Sequence, residues 1–549
     1  MNVSADPVLT RCRARIEELT HALRKATRNG DAIDAHQVAT RRLAGLATRY
    51  EAAAAIADAA DSLQKTGSSV AGTLAEIGSV WEAETALSAA EGYWLHGAEF
   101  GLAPDNLSGL KDAGVLDEVR ASVKESRYRA IGALLIERGA ASDRPIAHDA
   151  GEAAELRGST RRFAQTVVAP EAERIHREDL LVPEHFIREM SALGYFGMSI
   201  PEEYGGVGMS NLAMVVATEE LSAASLPAAG SLITRPEILA KALLQGGTEE
   251  QKKKWLPCVA SGELMVAVAV TEPNVGSDVA SLSCRAEPKT VGGKAGYVLN
   301  GAKAWCTFAG RANILALLAR TEPDAALGHK GLSLFIVEKD AFTGHEFTMR
   351  QPGGGVMQGK ADATIGYRGM HSFTLQLQDY FVPAENLVGG ELGRGKGFYL
   401  QMGGFAAGRL QTGGRATGLA QASLEVAVKY AKERPQFGKP IVEYQSTQYE
   451  IGRMAVKVEA ARQLTYAAAR AMDEKGPRAT LLAAMAKLLA CRVAVEVSQA
   501  AQVLHGGWGY AEEYAISRYV CDALVLPIFE GVEPILEMKV IGRTLLAGG

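Results

Sequence analysis

One acidic residue near the C-terminus is placed to act as a base. Residues 527–531 set a single carboxylate, Glu530, directly after the apolar pair Ile528 and Phe529. A carboxylate that is shielded from water in this way binds a proton more strongly and becomes a better base near neutral pH. A surface glutamate before a loop is the alternative, and this segment alone does not exclude it.

A predicted strand over 264–270 opens into a loop that could hold a phosphate or the edge of a flavin. The loop, residues 271–278, contains a proline, a glycine and the hydroxyls of Thr271 and Ser277. Hydroxyls and spare backbone N–H groups are the donors that such ligands need. An ordinary β-turn has the same composition.

About thirty residues later, segment 304–307 carries Trp305 and Thr307. The indole could flank a flavin ring, and the threonine hydroxyl could hydrogen-bond to a ring nitrogen. Alternatively, Trp305 packs in a β core, as buried tryptophans commonly do.

A predicted helix broken by Pro435 and Gly438 leaves an exposed bend. There, the guanidinium of Arg434 could clamp a pyrophosphate through two hydrogen bonds, with Phe437 beside it. A solvated charge at a helix end is the alternative.

A second glycine cluster, residues 506–510, begins with Gly506 and Gly507. Its backbone could approach a ligand closely, or the glycines could simply terminate a helix.

Composition limits the classes of protein to which this chain can belong. Its 549 residues include 58 basic and 63 acidic side chains, a net charge of −5, and chains of this size hold about three or four domains. This charge balance supplies no attraction to nucleic acids or anionic membranes. A hydrophobic fraction of 47% excludes a mainly disordered chain. The apolar stretches are far shorter than the roughly 20 residues that span a bilayer, so we expect neither nucleic acid nor membrane insertion.

The six cysteines are scattered, without a Cys-x-x-Cys pair or histidines at zinc spacing. We therefore expect reduced thiols and no metal site. The N-terminal residues contain no apolar signal core. Together these features predict a soluble, cytoplasmic protein.

Four segments differ in their predicted elements. Residues 1–150 are rich in alanine, with a helical pattern over 31–63 and breaks at 66–69 and 101–108, which indicates a helical packing module. Residues 151–263 are mainly helical. Residues 264–388 are predicted to be all β, with a tight turn at Asn300-Gly301. Residues 389–549 return to helices, and their apolar stripe recurs at three- and four-residue steps: Ile451, Met454, Val458, Ala461 and Leu464.

The order and spacing of these motifs resemble the acyl-CoA dehydrogenase family over residues 157–546. Further matching segments are 200–208 (Ile-Pro-Glu-Glu-Tyr-Gly-Gly-Val-Gly), 247–252 (Gly-Thr-Glu-Glu-Gln-Lys) and 382–386 (Val-Pro-Ala-Glu-Asn). The resemblance implies an α+β fold that is mainly α.

Its implied domains are an N-terminal α domain (151–263), a β-barrel (264–388) and a C-terminal helical bundle (389–549), after a helical extension (1–150). FAD would lie between the last two domains and across a dimer interface.

The resemblance also implies two sets of binding residues. The cofactor-binding set is Val270, Thr271, Ser277, Trp305, Thr307, Arg434, Phe437, Gln502, Gly506 and Gly507. The substrate-binding set is Arg235, Ser277, Arg368, Arg409, Phe529 and Gly531. Thr307 would lie close to flavin N5, whereas Arg434 and Phe437 would reach the FAD of the partner subunit.

Glu530 matches the catalytic base of the family. It would remove the α-proton of an acyl thioester while flavin N5 accepts the β-hydride, and electrons would leave through an electron-transfer flavoprotein. Some subfamilies take the base from the residue before the arginine that matches Arg409. That residue is Gly408 here, which leaves Glu530 as the family-consistent base.

Three departures from the family pattern affect individual contacts. Val532 and Glu533 replace the threonine and serine that often follow the Glu-Gly pair, and Val503 replaces a usual glutamine, with Gln502 one step away. The helix between residues 236 and 247 is longer than usual, which suggests an altered acyl pocket.

Arg235 indicates the substrate class, because fatty-acyl enzymes have apolar residues in this part of the helix. A buried guanidinium is costly unless an anion pairs with it. We expect that anion to be the distal carboxylate of a dicarboxylyl-CoA, held with help from Arg368 and Arg409. A structural salt bridge is the alternative.

The extension and the ending at 529–534 are most similar to members that oxidise (2S)-methylsuccinyl-CoA to mesaconyl-CoA in the ethylmalonyl-CoA pathway. Benzylsuccinyl-CoA and glutaryl-CoA are alternative substrates, although Ala229 stands where glutaryl-CoA enzymes carry an arginine.

Residues 1–150 are predicted to cover the surface on which relatives form a second dimer, which leaves a homodimer. The competing hypothesis is a non-catalytic scaffold, and the intact Glu530, Thr271, Trp305 and Arg434 argue against it.

Overall fold

The computed structural model describes residues 6–102, 113–140, 144–148 and 151–547. Its elements confirm an α+β fold that is mainly helical. The chain forms two compact units. The first comprises Met1–Ser159, Val215–Glu219 and Thr412–Gly549, and the second comprises Thr160–Met214 and Glu220–Gln411. These units group the chain by packing, and the four predicted domain boundaries stay a prediction.

The helices in chain order are α1 (Pro7–Ala26), α2 (Gln37–Lys65), α3 (Ala71–His96), α4 (Ala113–Ser122), α5 (Glu125–Arg138), α6 (Gly151–Phe163), α7 (Ala169–Arg177), α8 (Glu184–Ala192), α9 (Asn211–Ala224), α10 (Thr234–Gly246), α11 (Glu249–Ala260), α12 (Gly390–Gly393), α13 (Gly397–Glu433), α14 (Gln445–Asp473), α15 (Ala479–Leu504), α16 (Ala515–Ala523), α17 (Glu533–Ile535) and α18 (Arg543–Ala547). The strands are β1 (Val266–Ala269), β2 (Arg285–Val291), β3 (Lys294–Thr307), β4 (Ile314–Arg320), β5 (Leu332–Glu338), β6 (Glu346–Arg350), β7 (Val356–Ala361), β8 (Ser372–Pro383), β9 (Pro435–Gln436) and β10 (Lys439–Pro440).

In the first unit, N-terminal helices pack directly on C-terminal ones. Helix α14 packs against α15, α5 and α2. Glycines let α5 and α14 approach closely, since a Cβ atom on Gly132 would lie 2.0 Å from the backbone oxygen of Gln448, and one on Gly452 would lie 1.9 Å from that of Tyr128. The predicted apolar stripe of α14 is buried throughout. The helical extension is therefore a packing module, as the sequence predicts.

The helix expected over 31–63 begins later, at Gln37. Helix α1 ends at Ala26, and Arg28, Asn29 and Gly30 adopt positive φ, a backbone conformation that stops a helix. The predicted break at 66–69 is confirmed between α2 and α3. The break at 101–108 starts at Gly101, with φ of 87°, and residues 103–108 lie outside the described part.

The second unit contains one mixed sheet. Its pairing order is β1-β4-β2-β3-β8-β7-β6, with β5 also beside β4. Among the described residues no pairing joins β6 to the other end of this order, so the expected barrel is an open, curled sheet. The alternating Phe373, Leu375 and Leu377 of β8 point into its core, as the pattern predicts.

The tight turn predicted at Asn300-Gly301 is wrong, because β3 continues through both residues. The register of β3 against β8 shifts between residues 299 and 301, and the side-chain oxygen of Asn300 accepts a hydrogen bond from the N–H of Asp379 at 2.9 Å. The pair thus forms a bulge. The turn between β2 and β3 lies at Gly292 and Gly293, both with positive φ.

Among the residues that the structure describes, no helix combines the length and hydropathy that a bilayer-crossing segment needs. None of the six cysteines forms a disulfide in the described part of the chain.

A buried ion cluster ties α9 to α14 in the first unit. Glu219 is fully buried, and its Oε1 lies 3.0 Å from Nε of Arg462. Tyr466 donates a hydrogen bond to the same carboxylate, and Arg157 lies 3.6 Å from it. Burial raises the pKa of Glu219, but Arg462, Arg157 and Arg144 outweigh burial and lower it from 4.5 to about 2.

This cluster predicts a pH dependence of stability. Because the folded pKa of Glu219 is depressed from 4.5 to about 2, its stabilisation is complete above pH 4.5 and is lost as pH falls toward 2. Replacing Glu219 with glutamine leaves buried arginines under-compensated, which costs about 3–5 kcal/mol at neutral pH. Urea unfolding between pH 2 and 7 should therefore show the wild type and Glu219→Gln converging at low pH.

The control is Glu17→Gln, which removes an exposed pair with Arg13 and should change little at any pH. If Glu219→Gln and Glu17→Gln show the same unfolding midpoints across this range, the cluster does not stabilise the fold.

Candidate active site

The loop after β1 is anchored by a buried ion pair. Glu272 Oε1 and Lys303 Nζ lie 3.0 Å apart, and both side chains are almost fully buried. Lys303 also donates to the backbone oxygen of Val270 at 3.0 Å, and Glu272 accepts from the N–H groups of Ser283 and Cys284, each at 2.8 Å. Burial raises the pKa of Glu272, but Lys303 and these donors outweigh burial, so the pKa is lowered. The start of the loop is thus fixed to β3.

Thr271, at this anchored position, has hydrogen-bond donors that are available to a ligand. Its backbone oxygen accepts from the N–H of Ala304 at 2.8 Å. Neither its own N–H nor its hydroxyl has a hydrogen-bond partner among the described residues. Two free donors suit the carbonyl-rich pyrimidine edge of a flavin. Farther along the loop, Ser277 is exposed.

Trp305 projects from a bulge in β3. The register against β8 shifts between Lys303 and Cys306, and Trp305 between them has φ of 58° and is 60% exposed. Bulges redirect side chains, and a left-handed backbone is rare for so large a residue. Packing in the β core is therefore excluded for Trp305, and its indole is free to cover a flat ring.

Thr307, two residues on, faces the first residue of β8. Its hydroxyl lies 3.0 Å from that of Ser372, and the side chain is nearly buried. Val270, Thr271, Trp305 and Thr307 therefore lie together where β1 ends beside the last residues of β3.

Arg235 lies in the first turn of α10 and is 5% exposed. Its Nη1 donates to the backbone oxygen of Ser231 at 3.3 Å, and no acidic side chain in the described part of the chain forms an ion pair with it. No side chain caps this end of α10. Since a helix N-terminus already favours negative charge, a buried guanidinium there calls for an anion. The alternative, a structural salt bridge, has no acidic partner for Arg235 among the described residues.

The other two arginines of the substrate set differ from Arg235. Arg368 donates to the backbone oxygens of Thr364 and His176, at 3.2 and 3.0 Å, and lies 3.4 Å from Asp179. The guanidinium of Arg368 is therefore already occupied by these hydrogen bonds and this ion pair. Arg409 is half-buried on α13, next to Gly408.

In the first unit, Glu530 occupies a strained, closed loop. Both Glu530 and Gly531 adopt positive φ, 53° and 101°, and the N–H of Glu533 closes the loop on the backbone oxygen of Pro527 at 3.0 Å. Glu530 Oε2 is buried and has no hydrogen-bond partner among the described residues. A desolvated, unpartnered carboxylate oxygen is what a general base needs.

Two buried cations hold this loop. Lys487 of α15 donates to the backbone oxygen of Gly531 at 2.7 Å, and Arg415 of α13 lies 4.8 Å from the ring centre of Phe529. Below them, burial raises the pKa of Cys491 to about 11, although both cations oppose the rise. The loop therefore packs against a buried, positively charged surface formed by Lys487 and Arg415.

Arg434 and Phe437 lie where the sequence predicts an exposed bend. Helix α13 ends at Glu433, and β9 and β10 form a hairpin whose turn holds Phe437, 94% exposed, and Gly438. The side chain of Arg434 is exposed and makes no ion pair among the described residues. Both are free to contact a ligand or another chain.

The glycine turn at the end of α15 lies close to this helix end. His505 stacks on Tyr430, one turn before Arg434, with ring centres 4.2 Å apart. Gln502 donates to the backbone oxygen of Gly509 at 3.1 Å, which fixes the turn. A Cβ atom on Gly506 or Gly507 would meet nothing within 4 Å, so nothing in the described structure crowds this backbone.

Several positioning residues were not recognised in the sequence. They are Glu272, Lys303, Ser372, Arg415 and Lys487. Each acts through a partner that is distant in the sequence. Only for Lys303 and Lys487 do apolar neighbours in the sequence indicate that the charge is buried.

Comparison with known proteins gives consistent matches along the chain. Family models match it in three consecutive pieces, described as the acyl-CoA dehydrogenase N-terminal domain (residues 151–263), middle domain (267–380) and C-terminal domain (395–546). A (2S)-methylsuccinyl-CoA dehydrogenase of Cereibacter sphaeroides is 44% identical over 391 residues, covering 71% of this chain and 69% of the relative.

Comparison with solved structures also gives matches over most of this chain. The structure of a glutaryl-coenzyme A dehydrogenase with glutaryl-CoA superposes with a TM-score of 0.64 at 34% identity, covering 73% of this chain and 95% of that one. A chain from a study of the electron transferring flavoprotein of Acidaminococcus fermentans gives 0.66 at 32% identity, covering 74% and 100%.

Proposed function

Because the chain belongs to the acyl-CoA dehydrogenase family, we propose that it uses FAD to oxidise (2S)-methylsuccinyl-CoA to mesaconyl-CoA, as part of the ethylmalonyl-CoA pathway. The observation that carries the choice of substrate is Arg235, a buried guanidinium at a helix N-terminus without an acidic partner among the described residues. The relative that is 44% identical carries the name of this activity.

The distal carboxylate of the substrate is the anion that Arg235 lacks. Carboxylate pairs with guanidinium through two parallel hydrogen bonds, and burial makes such a pair selective against neutral acyl chains. Arg368 and Arg409 remain predicted helpers, with Arg368 the weaker candidate because protein groups already use its donors.

Glu530 is the proposed base. Its buried Oε2 takes the α-proton, and its backbone N–H, which has no partner among the described residues, is available to the thioester carbonyl. A hydrogen bond there stabilises negative charge as the proton leaves. Phe529 and Gly531 flank Glu530 in the chain, and Arg415 and Lys487 hold them, respectively. These contacts fix the position of the carboxylate.

When bound, FAD would supply the acceptor for the hydride of the β-carbon. Thr271 and Val270 are the proposed contacts of its pyrimidine edge, Trp305 and Thr307 of its ring, and Ser277 of a phosphate or of the pantetheine. Arg434, Phe437, Gln502, Gly506 and Gly507 are proposed to contact the FAD of a second subunit. The free donors of Thr271 and the exposed indole of Trp305 support this assignment.

A dehydrogenase for glutaryl-CoA or benzylsuccinyl-CoA is the second candidate. The similarity to a glutaryl-coenzyme A dehydrogenase favours it, whereas Ala229 at the position of the expected arginine does not. An electron-transfer flavoprotein is the proposed acceptor, and the proposed cytoplasmic location is consistent with cysteines that form no disulfide among the described residues. A non-catalytic scaffold has no support, because the relatives carry enzyme names.

The base is tested with Glu530→Gln, which keeps the shape of the side chain and removes its basicity. The variant should retain FAD, and anaerobic addition of methylsuccinyl-CoA should bleach the flavin at least about 10²–10⁴-fold more slowly. Stopped-flow absorbance of the flavin measures this rate. Glu533→Gln is the matched control and should bleach normally. Bleaching of Glu530→Gln at the wild-type rate would remove Glu530 from the reaction.

The carboxylate site is tested with Arg235→Ala. Removing one partner of a buried charge pair costs about 2–5 kcal/mol of binding free energy. The variant should therefore lower kcat/KM for methylsuccinyl-CoA by roughly 30-fold or more. Butyryl-CoA, which has no distal carboxylate, should lose no activity. Arg188→Ala, at an exposed arginine of α8, is the control. Steady-state assays that also include glutaryl- and benzylsuccinyl-CoA rank the substrates, and unchanged methylsuccinyl-CoA kinetics in Arg235→Ala would contradict the assignment.

A homodimer is proposed because α5 and α2 cover α14, leaving less helical surface for further subunits. Light scattering at micromolar concentration should give twice the mass of one chain. A tetramer would contradict the proposed role of residues 1–150.

A further inference from the structure

Three side chains from distant parts of the chain meet in the second unit. Asp179 follows α7, His345 precedes β6 and His371 precedes β8. One possible ligand atom of each lies within 4.8 Å of the other two. Imidazole nitrogens and a carboxylate oxygen are the ligands that zinc and similar divalent ions prefer.

The ring of His371 has an oxygen acceptor close to each of its two nitrogens. Its Nδ1 lies 3.2 Å from the backbone oxygen of Gly369, and a neutral ring that donates to this carbonyl carries its proton on Nδ1. Its Nε2 then presents a lone pair to Oδ1 of Asp179, 3.1 Å away. Two acceptors at this distance need a cation between them, either a proton on the ring nitrogen or a metal ion bound to both atoms. A histidine whose other nitrogen donates to a backbone carbonyl is also the usual arrangement of a metal ligand.

The neighbouring groups are consistent with a bound ion. The ring of His345 lies 4.5 Å from that of His371, tilted by 39°, which leaves its nitrogens close to the same point. Arg368 approaches Oδ1 of Asp179 at 3.4 Å, while Oδ2 has no hydrogen-bond partner among the described residues. Carboxylates that ligate metals are themselves commonly hydrogen-bonded by outer groups, and Arg368 lies where it can orient the carboxylate of Asp179.

We propose that Asp179, His345 and His371 bind a divalent transition-metal ion of the zinc type, with water completing the coordination. The ion joins the segment after α7 to the residues that precede strands β6 and β8. It also stiffens residues 366–371, whose Tyr367 donates a hydrogen bond to the hydroxyl of Ser231 at 2.6 Å. The backbone oxygen of Ser231 in turn accepts from Arg235.

Zinc titration of the FAD-loaded protein, after treatment with EDTA, tests the site. Calorimetry should give one Zn²⁺ per chain. X-ray absorption at the zinc edge should show two imidazoles and oxygen ligands near 2.0–2.2 Å. His345→Ala removes an exposed ligand without opening the core and should weaken binding at least about tenfold. His371→Asn provides a second ligand variant should the first rearrange.

His185→Ala is the matched control, because His185 forms a two-member pair with Glu171 at 2.9 Å in the same unit. Its zinc affinity should equal that of the wild type. No stoichiometric binding by the wild type, or equal affinity in His345→Ala and the wild type, would overturn the proposal. This test does not depend on the substrate, so its outcome is separate from that of the proposed function.

Discussion

The hydrogen bond from Lys487 to the carbonyl of Gly531 is the contact on which the proposed chemistry depends. A buried ammonium needs acceptors, because it has lost its water, and here a backbone oxygen at 2.7 Å supplies one. The loop that carries this oxygen also holds Glu530 with a left-handed backbone and an unpartnered carboxylate oxygen. The same hydrogen bond therefore stabilises the buried ammonium of Lys487 and holds the loop that positions Glu530.

The same principle recurs in the second unit. Lys303 is buried beside Glu272 and donates to the carbonyl of Val270, so it fixes the loop in which Thr271 keeps two donors free. In both units a charged side chain from a regular element holds a neighbouring loop through its backbone. Breaking such a buried pair is strongly destabilising, which keeps these loops in one conformation.

The sequence predicts the main elements well where their patterns are local. The stripe of α14, the alternation of β8 and the end of α13 before Pro435 all follow from residue spacing. The prediction at Asn300-Gly301 is wrong because a bulge and a turn use the same residue types, and only strand register separates them. The roles of Lys303, Lys487 and Arg415 depend on partners far away in the chain, and the three possible metal ligands share no recognisable spacing.

A crystal structure with FAD and an unreactive methylsuccinyl-CoA analogue tests the central claim directly. We expect an oxygen of Glu530 about 3–3.5 Å from the carbon next to the thioester, with the flavin ring on the opposite face and Lys487 still hydrogen-bonded to Gly531. A Glu530 carboxylate that points into bulk solvent, far from the bound thioester, would contradict it.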